Sequence, residues 1–185
     1  DVEPDSANID LHSAESLVTE RTKAIVVVHF AGLPVDMDKA KAFAQKHNLR
    51  LVEDACHSWG SQWNGKGTGA LGDFGAFSFQ VSKNITAGEG GIILTDDDEI
   101  AKVARSYTHV GRFEDGPWYE HHLLAGNNRM TEMQAAILLA QLERLPAQTD
   151  KREANAAILL KELADVPGLH FAARPPQVTR RSWHM

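Results

Sequence analysis

The sequence has little of several features that mark particular classes of protein. Cys56 is its one cysteine in 185 residues, which excludes an internal disulfide and favours a reducing compartment such as the cytoplasm. The net charge of −6 gives no electrostatic basis for binding nucleic acid or an anionic membrane. No apolar run approaches the roughly 18 residues that a membrane-spanning helix needs. We therefore expect a globular cytoplasmic protein that binds neither nucleic acid nor a membrane.

The two ends of the sequence do not resemble natural termini. The first residue is Asp1 rather than methionine, and the opening DVEPDSANID is typical of a loop between elements. The final TRRSWHM stops where an aromatic pattern begins. We expect the 185 residues to be truncated at both ends relative to a longer natural chain.

Short apolar runs alternate with stretches of helical spacing, a pattern that predicts an α/β fold with a mainly parallel sheet. The unbroken apolar run AIVVV at 24–28 predicts a strand that is buried on both faces. The predicted strands are 24–28, 49–54, 75–79 and 91–95.

Local signals predict the helices and loops between these strands. Thr131 and Gln134 form a capping-box pattern, as do Asp96 and Glu99, and Ser13 is a candidate N-cap. The predicted helices are 13–20, 34–48, 96–107, 131–145 and 148–164, and the predicted long loops are 60–73 and 110–128.

Pro146 is predicted to interrupt the helical pattern in the last third of the chain, because proline lacks the N–H that an α-helix interior uses. The alternation of strands and helices ends near the same point. The sequence therefore favours a division into residues 1–146 and residues 147–185, the second being a helix and the start of a smaller domain.

Three chemically useful side chains follow predicted strands. Asp54 ends the second strand, and Ser78 and Lys83 lie at or just beyond the end of the third. Because ligands bind at the carboxyl ends of parallel strands, an acid, a hydroxyl and an amine are expected to share one crevice. These are the groups that pyridoxal phosphate needs. A solvated Lys83, a strand-capping Asp54 and a Ser78 bonded to backbone fit the same spacing.

Three longer segments, taken together, resemble one known family. They are VEDACHSWG, GTGALGDFGAFSFQVSKNITAGEGGIILTDD and AGNNRMTEMQAAILLAQLERL, in that order. They are similar to the DegT/DnrJ/EryC1/StrS family of sugar and cyclitol aminotransferases. The resemblance implies the large-domain core of a fold type I pyridoxal-phosphate transferase.

The resemblance also implies roles for individual residues. Lys83 matches the lysine that forms the Schiff base with pyridoxal 5′-phosphate, and Asp54 matches the acid that faces the pyridine nitrogen. His57 falls near the ring hydroxyl of the cofactor, and Ser78 resembles a phosphate ligand. Asn127 resembles the residue that reaches the cofactor phosphate of the neighbouring subunit, which implies a homodimer.

The implied reaction is transfer of an amino group from glutamate or glutamine to a keto-sugar or keto-cyclitol. The family's N-terminal portion and most of its small domain are not in this sequence, so we expect these 185 residues alone to bind cofactor weakly and to turn over poorly. Two alternatives stay open: a non-catalytic module that only self-associates, and a dehydratase-type relative, although relatives of that type carry histidine where this chain has Lys83.

Other polar residues favour structural roles. His109, His121 and His122 lie in one predicted loop without the Cys or carboxylate spacing of a metal site, so no metal is expected. His29 follows the first strand and is interpreted as structural. Cys56 is interpreted as a small buried side chain rather than a nucleophile.

Overall fold

The computed structural model describes all 185 residues, Asp1–Met185. It contains four α-helices, seven strands and one 3₁₀ turn at Phe30–Gly32. In chain order the elements are α1 (Leu11–Glu15), β1 (Ala24–Val28), α2 (Met37–Lys46), β2 (Arg50–Asp54), β3 (Gln62–Trp63), β4 (Lys66–Gly67), β5 (Phe74–Ser78), β6 (Gly91–Leu94), α3 (Asp98–Thr108), α4 (Glu132–Glu162) and β7 (Val178–Arg180). None of the helices is both long enough and apolar enough to cross a membrane.

The main sheet confirms the predicted α/β fold. Its strand order is β1-β2-β5-β6, and β1, β2 and β5 run parallel to one another. The last strand, β6, runs antiparallel to β5, with Ser78 opposite Gly91. All four predicted strands are therefore present, and three of them point their carboxyl ends at the same edge.

The prediction that β1 is buried on both faces is wrong. Ile25 and Val27 are buried, whereas Val26 and Val28 on the opposite face are 54% and 40% exposed. The apolar run packs on one side only, where core residues of α2, with Trp63 and Val178, cluster with Ile25 and Val27. The exposed face continues across the sheet to Ile93 on β6, the strand at the opposite edge.

Two helix starts differ from the predicted ones. The first helix begins at Leu11 and ends at Glu15, and Asp10 rather than Ser13 caps it by accepting a hydrogen bond from the His12 N–H. In α3 the cap is Asp97 rather than Asp96, because the Asp97 side chain accepts from the N–H groups of Glu99 and Ile100. The capping box predicted for α4 from Thr131 and Gln134 is confirmed in both of its hydrogen bonds.

The helix break predicted at Pro146 is also wrong. The helix α4 runs without interruption from Glu132 to Glu162 and contains Pro146. Two side chains bond the helix backbone in this region: Thr149 Oγ1 donates to the Leu145 carbonyl at 2.9 Å, and the Arg180 guanidinium donates to the Pro146 carbonyl at 2.7 Å. A domain division at 146–147 stays a prediction and would fall within this helix.

Residues 60–73, predicted as a loop, contain a small second sheet. The strands β3 and β4 form a hairpin, and β7 from the end of the chain pairs antiparallel with β3. Trp63 and Val178 of this sheet are buried in the main core. The two-residue strands are too short to leave a recognisable alternation in the sequence.

One continuous apolar core lies between α2 and the main sheet. Met37, Ala40, Phe43 and Ala44 form the buried stripe of α2 at helical spacing. A smaller cluster consists of Phe79, Ile85 and Leu138. The smaller cluster lies beside the segment that follows β5, where the candidate site is found.

Candidate active site

Two of the predicted site residues end adjacent parallel strands. Asp54 is the last residue of β2 and lies opposite Val28 of β1 and Ala76 of β5. Ser78 is the last residue of β5. The acid and the hydroxyl therefore lie at the carboxyl edge of the sheet, which is where an open α/β sheet binds ligands.

Asp54 is held by the turn that follows it. Its Oδ1 accepts the Cys56 N–H at 3.1 Å, and the thiol of Cys56 lies 3.8 Å from the Ala76 carbonyl. Burial, and after it the Asp54 carboxylate, raise the pKa of Cys56 to about 11, while Lys83 acts in the opposite direction. Cys56 is thus a protonated, unreactive thiol at neutral pH, which agrees with its predicted role.

His57 lies within the electrostatic reach of both Lys83 and Asp54. Burial lowers the pKa of its imidazole below the ordinary value of 6.5, the Lys83 ammonium lowers it further, and the Asp54 carboxylate opposes both. The Nδ1 atom of His57 is buried and has no hydrogen-bond partner. The chain has eight buried side-chain polar atoms without a partner, and His57 carries the one that belongs to a residue on which both Lys83 and Asp54 act.

The strand end that carries Ser78 is fixed by aromatic packing. Trp59 donates from Nε1 to the Ser78 carbonyl at 2.9 Å, and its ring lies 4.1 Å from Phe77 and 5.0 Å from Phe79. The Ser78 Oγ accepts the Gln80 N–H at 3.2 Å and keeps a free O–H donor.

A tight turn then carries Lys83. Its N–H donates to the Gln80 carbonyl at 2.9 Å, and the side chain is half-buried. The amine forms an ion pair with neither Asp54 nor any other carboxylate. The amine and the acid therefore share one edge of the sheet without neutralising each other.

The segment after Lys83 is anchored to α4. The Gln141 side chain forms two hydrogen bonds with the backbone of Thr86, at 3.0 and 2.5 Å, and Ile85 is fully buried against Phe79 and Leu138. These contacts restrict the backbone on the carboxyl side of the lysine. A restrained backbone places the amine more precisely than a free loop would.

A buried pair beneath Asp54 organises the glycine-rich loop. The carboxylate of Glu53 accepts three backbone N–H groups, from Gly69, Leu71 and Gly72, at 2.6–2.7 Å. His29 Nδ1 accepts the Val35 N–H, so its proton is on Nε2, which donates to Glu53 at 2.8 Å. His29 therefore has the structural role that its position predicted, and the pair holds the backbone next to Asp54.

Asn127 lies apart from the other four predicted residues. It is exposed in the segment between α3 and α4, where it forms an isolated β-bridge with His109. Its side-chain oxygen accepts the Arg129 N–H at 3.3 Å, and it makes no hydrogen bond to Asp54, His57 or Lys83. Within one chain the structure brings together Asp54, His57, Ser78 and Lys83 but not Asn127.

The end of the chain also contributes to the site, in a way that no sequence pattern predicted. The Ser182 Oγ donates to the His57 carbonyl at 2.7 Å, and the ring of His184 stacks on the ring of His57 at 4.4 Å. Asn84, directly after Lys83, donates to the Ser182 carbonyl at 2.9 Å. Because Ser182 and His57 are separated by 125 positions in the sequence, no local signal predicts this contact.

The grouped residues fit pyridoxal phosphate. The cofactor needs an amine for its aldehyde and a carboxylate for its ring nitrogen, which Lys83 and Asp54 would supply; both act on His57, and no ion pair joins them. The unpartnered Nδ1 of His57 matches a polar substituent on the ring, and the free O–H of Ser78 matches a phosphate oxygen.

Comparison with known proteins agrees with this geometry. The model of the DegT/DnrJ/EryC1/StrS aminotransferase family matches residues 1–185. Over 143 residues the chain is 45% identical to the UDP-N-acetyl-3-dehydro-alpha-D-glucosamine 3-aminotransferase of Acidithiobacillus ferrooxidans, covering 77% of this chain and 38% of that protein. It is 36% identical to the L-glutamine:2-deoxy-scyllo-inosose aminotransferase of Micromonospora echinospora, covering 100% of this chain and 46% of the relative.

A solved structure extends the similarity to the fold. The crystal structure of S. venezuelae DesV in complex with a ketimine intermediate superposes with a TM-score of 0.92 at 35% identity, covering 99% of this chain and 48% of DesV. The chain thus spans about half the length of the relatives it matches. The predicted architecture, a core of the pyridoxal-phosphate-dependent transferase fold, is confirmed by this superposition.

Proposed function

The chain belongs to the DegT/DnrJ/EryC1/StrS aminotransferase family, and on that basis we propose that it carries the cofactor site of a pyridoxal-phosphate-dependent aminotransferase. The amino donor is glutamine or glutamate, and the acceptor is a keto-sugar or keto-cyclitol. The names of the two relatives support this substrate class, one being a UDP-sugar aminotransferase and the other a glutamine-dependent cyclitol aminotransferase.

One observation carries the proposal. At a single edge of the sheet the chain places the unpaired amine of Lys83, the carboxylate of Asp54 and the unpartnered Nδ1 of His57. A solvated lysine and a strand-capping acid do not require the three groups to lie together at the edge where such sheets bind ligands.

Each residue has a separate task. Lys83 Nζ would hold the aldehyde carbon of the cofactor, the Asp54 carboxylate would hold its ring nitrogen protonated, and Ser78 Oγ would donate to its phosphate. His57 Nδ1 would meet the ring hydroxyl. When bound, pyridoxal phosphate supplies an electron sink for negative charge at the substrate carbon that carries nitrogen.

Lys83 also moves the proton of the reaction. Once its Nζ is free, Lys83 would take a proton from the substrate carbon and pass it on to the cofactor, and in the second half-reaction it would carry a proton in the opposite direction. Proton transfer by a positioned side chain accelerates reactions by about 10²- to 10⁴-fold. The anchoring of the next residues to α4 keeps Nζ in place for both steps.

Asn127 supports a homodimer. Its exposed position, with no hydrogen bond to the rest of the site, suits a contact with the cofactor phosphate of a second copy of the chain. Exposed apolar side chains of the following helix, Met133 and Ile137 among them, suit an interface. The single cysteine supports a cytoplasmic location.

A non-catalytic module is the second candidate. Val28 and Phe30 are each 40% exposed, and the Phe30 ring lies only 6.0 Å from that of His57, so the site is open to water on one side within these 185 residues. An open site weakens electrostatic catalysis, so we propose slow turnover for the isolated chain. A dehydratase-type reaction is the third candidate, and the amine at position 83 argues against it.

Amine transfer tests these candidates directly. The purified chain is mixed with pyridoxal phosphate and L-glutamine, and the conversion of pyridoxal phosphate to pyridoxamine phosphate is followed by absorbance and chromatography. We expect glutamine-dependent conversion, reversed by a keto-cyclitol that gains one amino group by mass. A folded protein without conversion supports the non-catalytic module, and a sugar that loses water without gaining nitrogen supports the dehydratase.

A further inference from the structure

The last residues of the chain pack into the candidate site. Ser182 is fully buried, its N–H donates to the Ser61 Oγ at 2.9 Å, and its hydroxyl donates to the His57 carbonyl at 2.7 Å. A side chain at Gly32 would collide with the Ser182 hydroxyl, and the backbone φ of +79° at Gly32 also favours glycine. The segment Arg181–His184 is therefore fitted closely to the loops after β1 and β2.

Asn84 ties this terminal segment to the lysine turn. Its Nδ2 donates to the Ser182 carbonyl at 2.9 Å, and its Oδ1 lies 3.3 Å from His184 Nδ1. The amide oxygen can only accept, so this contact places a proton on His184 Nδ1. Because Asn84 follows Lys83 directly, the same residue fixes the end of the chain and the backbone of the lysine.

The contacts of the terminal segment stack the His184 ring on the His57 ring. The centroids of the His57 and His184 imidazoles are 4.4 Å apart and the ring planes differ by 25°. The His57 ring has no hydrogen bond of its own at Nδ1, so neither a donor nor an acceptor fixes its rotation there. The flat face of His184 is the contact that restricts it.

We propose that His184 is a positioning residue that fixes the orientation of the His57 imidazole, and with it the place of the unpartnered Nδ1 that would meet the cofactor. The inference rests on the proposed function for its purpose, but the positioning itself needs no cofactor. The ring of His184 acts through shape and burial rather than through its charge.

The charges around the two rings agree with this role. Lys83 and Asp54 face His57, and His57, Lys83 and Arg152 face His184. Burial lowers the pKa of both imidazoles below the ordinary 6.5, and the nearby cations lower both further. At neutral pH both rings are neutral, which lets them stack without mutual repulsion and leaves His57 Nδ1 able to donate or accept.

Two variants separate shape from charge. The full 185-residue chain, without cofactor, is labelled at histidine, and the pKa of His57 is measured by NMR titration in the wild type, His184→Ala, His184→Phe and a control, His170→Ala, which changes an exposed histidine. We expect His184→Ala to raise the pKa of His57, because the His57 ring becomes more exposed to water and burial is the main cause of its lowered pKa. We expect His184→Phe, which keeps a flat aromatic face, and the control to leave it near the wild-type value.

Several results would overturn the proposal. One is a pKa of His57 that does not change in His184→Ala. Another is a rise in the pKa of His57 that is as large in His184→Phe as in His184→Ala. If His184→Ala fails to fold, the wild type decides by itself, because stacked rings must give a nuclear Overhauser effect between His57 and His184 ring protons, and its absence contradicts the stack.

A second readout separates this inference from the proposed function. The same variants are treated with pyridoxal phosphate and borohydride, and covalent label on Lys83 is measured by mass. If His184 positions His57, we expect His184→Phe to keep the wild-type yield of label on Lys83 and His184→Ala to show a yield several-fold lower. If the wild type takes no label while the His57 titration behaves as expected, the proposed function fails and the positioning of His57 stands.

Discussion

The Lys83→Arg protein is expected to lose the glutamine-dependent conversion of pyridoxal phosphate to pyridoxamine phosphate, with a rate at least about 100-fold below that of the wild type. Arginine keeps the positive charge and a similar length, but its guanidinium stays protonated and can neither bond to the aldehyde nor accept a proton from the substrate. The measurement is a single-turnover time course of cofactor conversion at saturating glutamine.

The matched control is Lys66→Arg, which makes the same change at an exposed residue of the small sheet. It should keep the wild-type rate. Conversion that continues unchanged in Lys83→Arg would mean that another group carries the chemistry, or that the observed conversion does not occur at this site.

The Glu53→Gln protein is expected to be less stable than the wild type by about 3 kcal/mol in free energy of unfolding at pH 7. Each carboxylate oxygen of Glu53 accepts two hydrogen bonds, one oxygen from Leu71 and Gly72 and the other from Gly69 and His29. A glutamine amide turns one of these oxygens into an N–H₂ donor that faces two other donors. Urea denaturation of both proteins measures the difference.

The same comparison has a defined dependence on pH. Burial opposes ionisation of Glu53, but the hydrogen bonds from His29 and the backbone outweigh it and hold its pKa below the ordinary value of 4.5. A depressed carboxyl pKa contributes stability that is complete above 4.5 and is lost as the pH falls through the folded-state pKa. The difference in free energy of unfolding between the wild type and Glu53→Gln should therefore become smaller as the pH falls below 4.5. Glu143→Gln changes an exposed residue of α4. Its free energy of unfolding should equal that of the wild type both at pH 7 and below pH 4.5.

Much of the site could be predicted because it depends on local and neighbouring elements. Asp54 and Ser78 end strands that are consecutive in the parallel part of the sheet, so the rule for parallel strands was enough to place them at one edge. The capping box at Thr131 is a four-residue pattern and could likewise be predicted from the sequence. Lys83 follows because a single turn separates it from Ser78.

The parts that could not be predicted depend on distant contacts. The stack of His184 on His57 joins a residue near the end of the chain to one in its first third, and no periodicity indicates such a pairing. The exposure of Val26 depends on which face α2 covers, which an unbroken apolar run cannot specify. The helix α4 continues through Pro146, and the Arg180 side chain that bonds its backbone there comes from the distant strand β7.

The central claim is that Lys83, among the nine lysines of the chain, is the residue that holds pyridoxal phosphate. The most direct measurement treats the wild-type protein with one equivalent of pyridoxal phosphate, reduces it with borohydride and maps the labelled lysine by peptide mass spectrometry. We expect most of the label on the peptide that contains Lys83 and little elsewhere. Label spread over exposed lysines such as Lys23 and Lys66, with Lys83 unmodified, would contradict it.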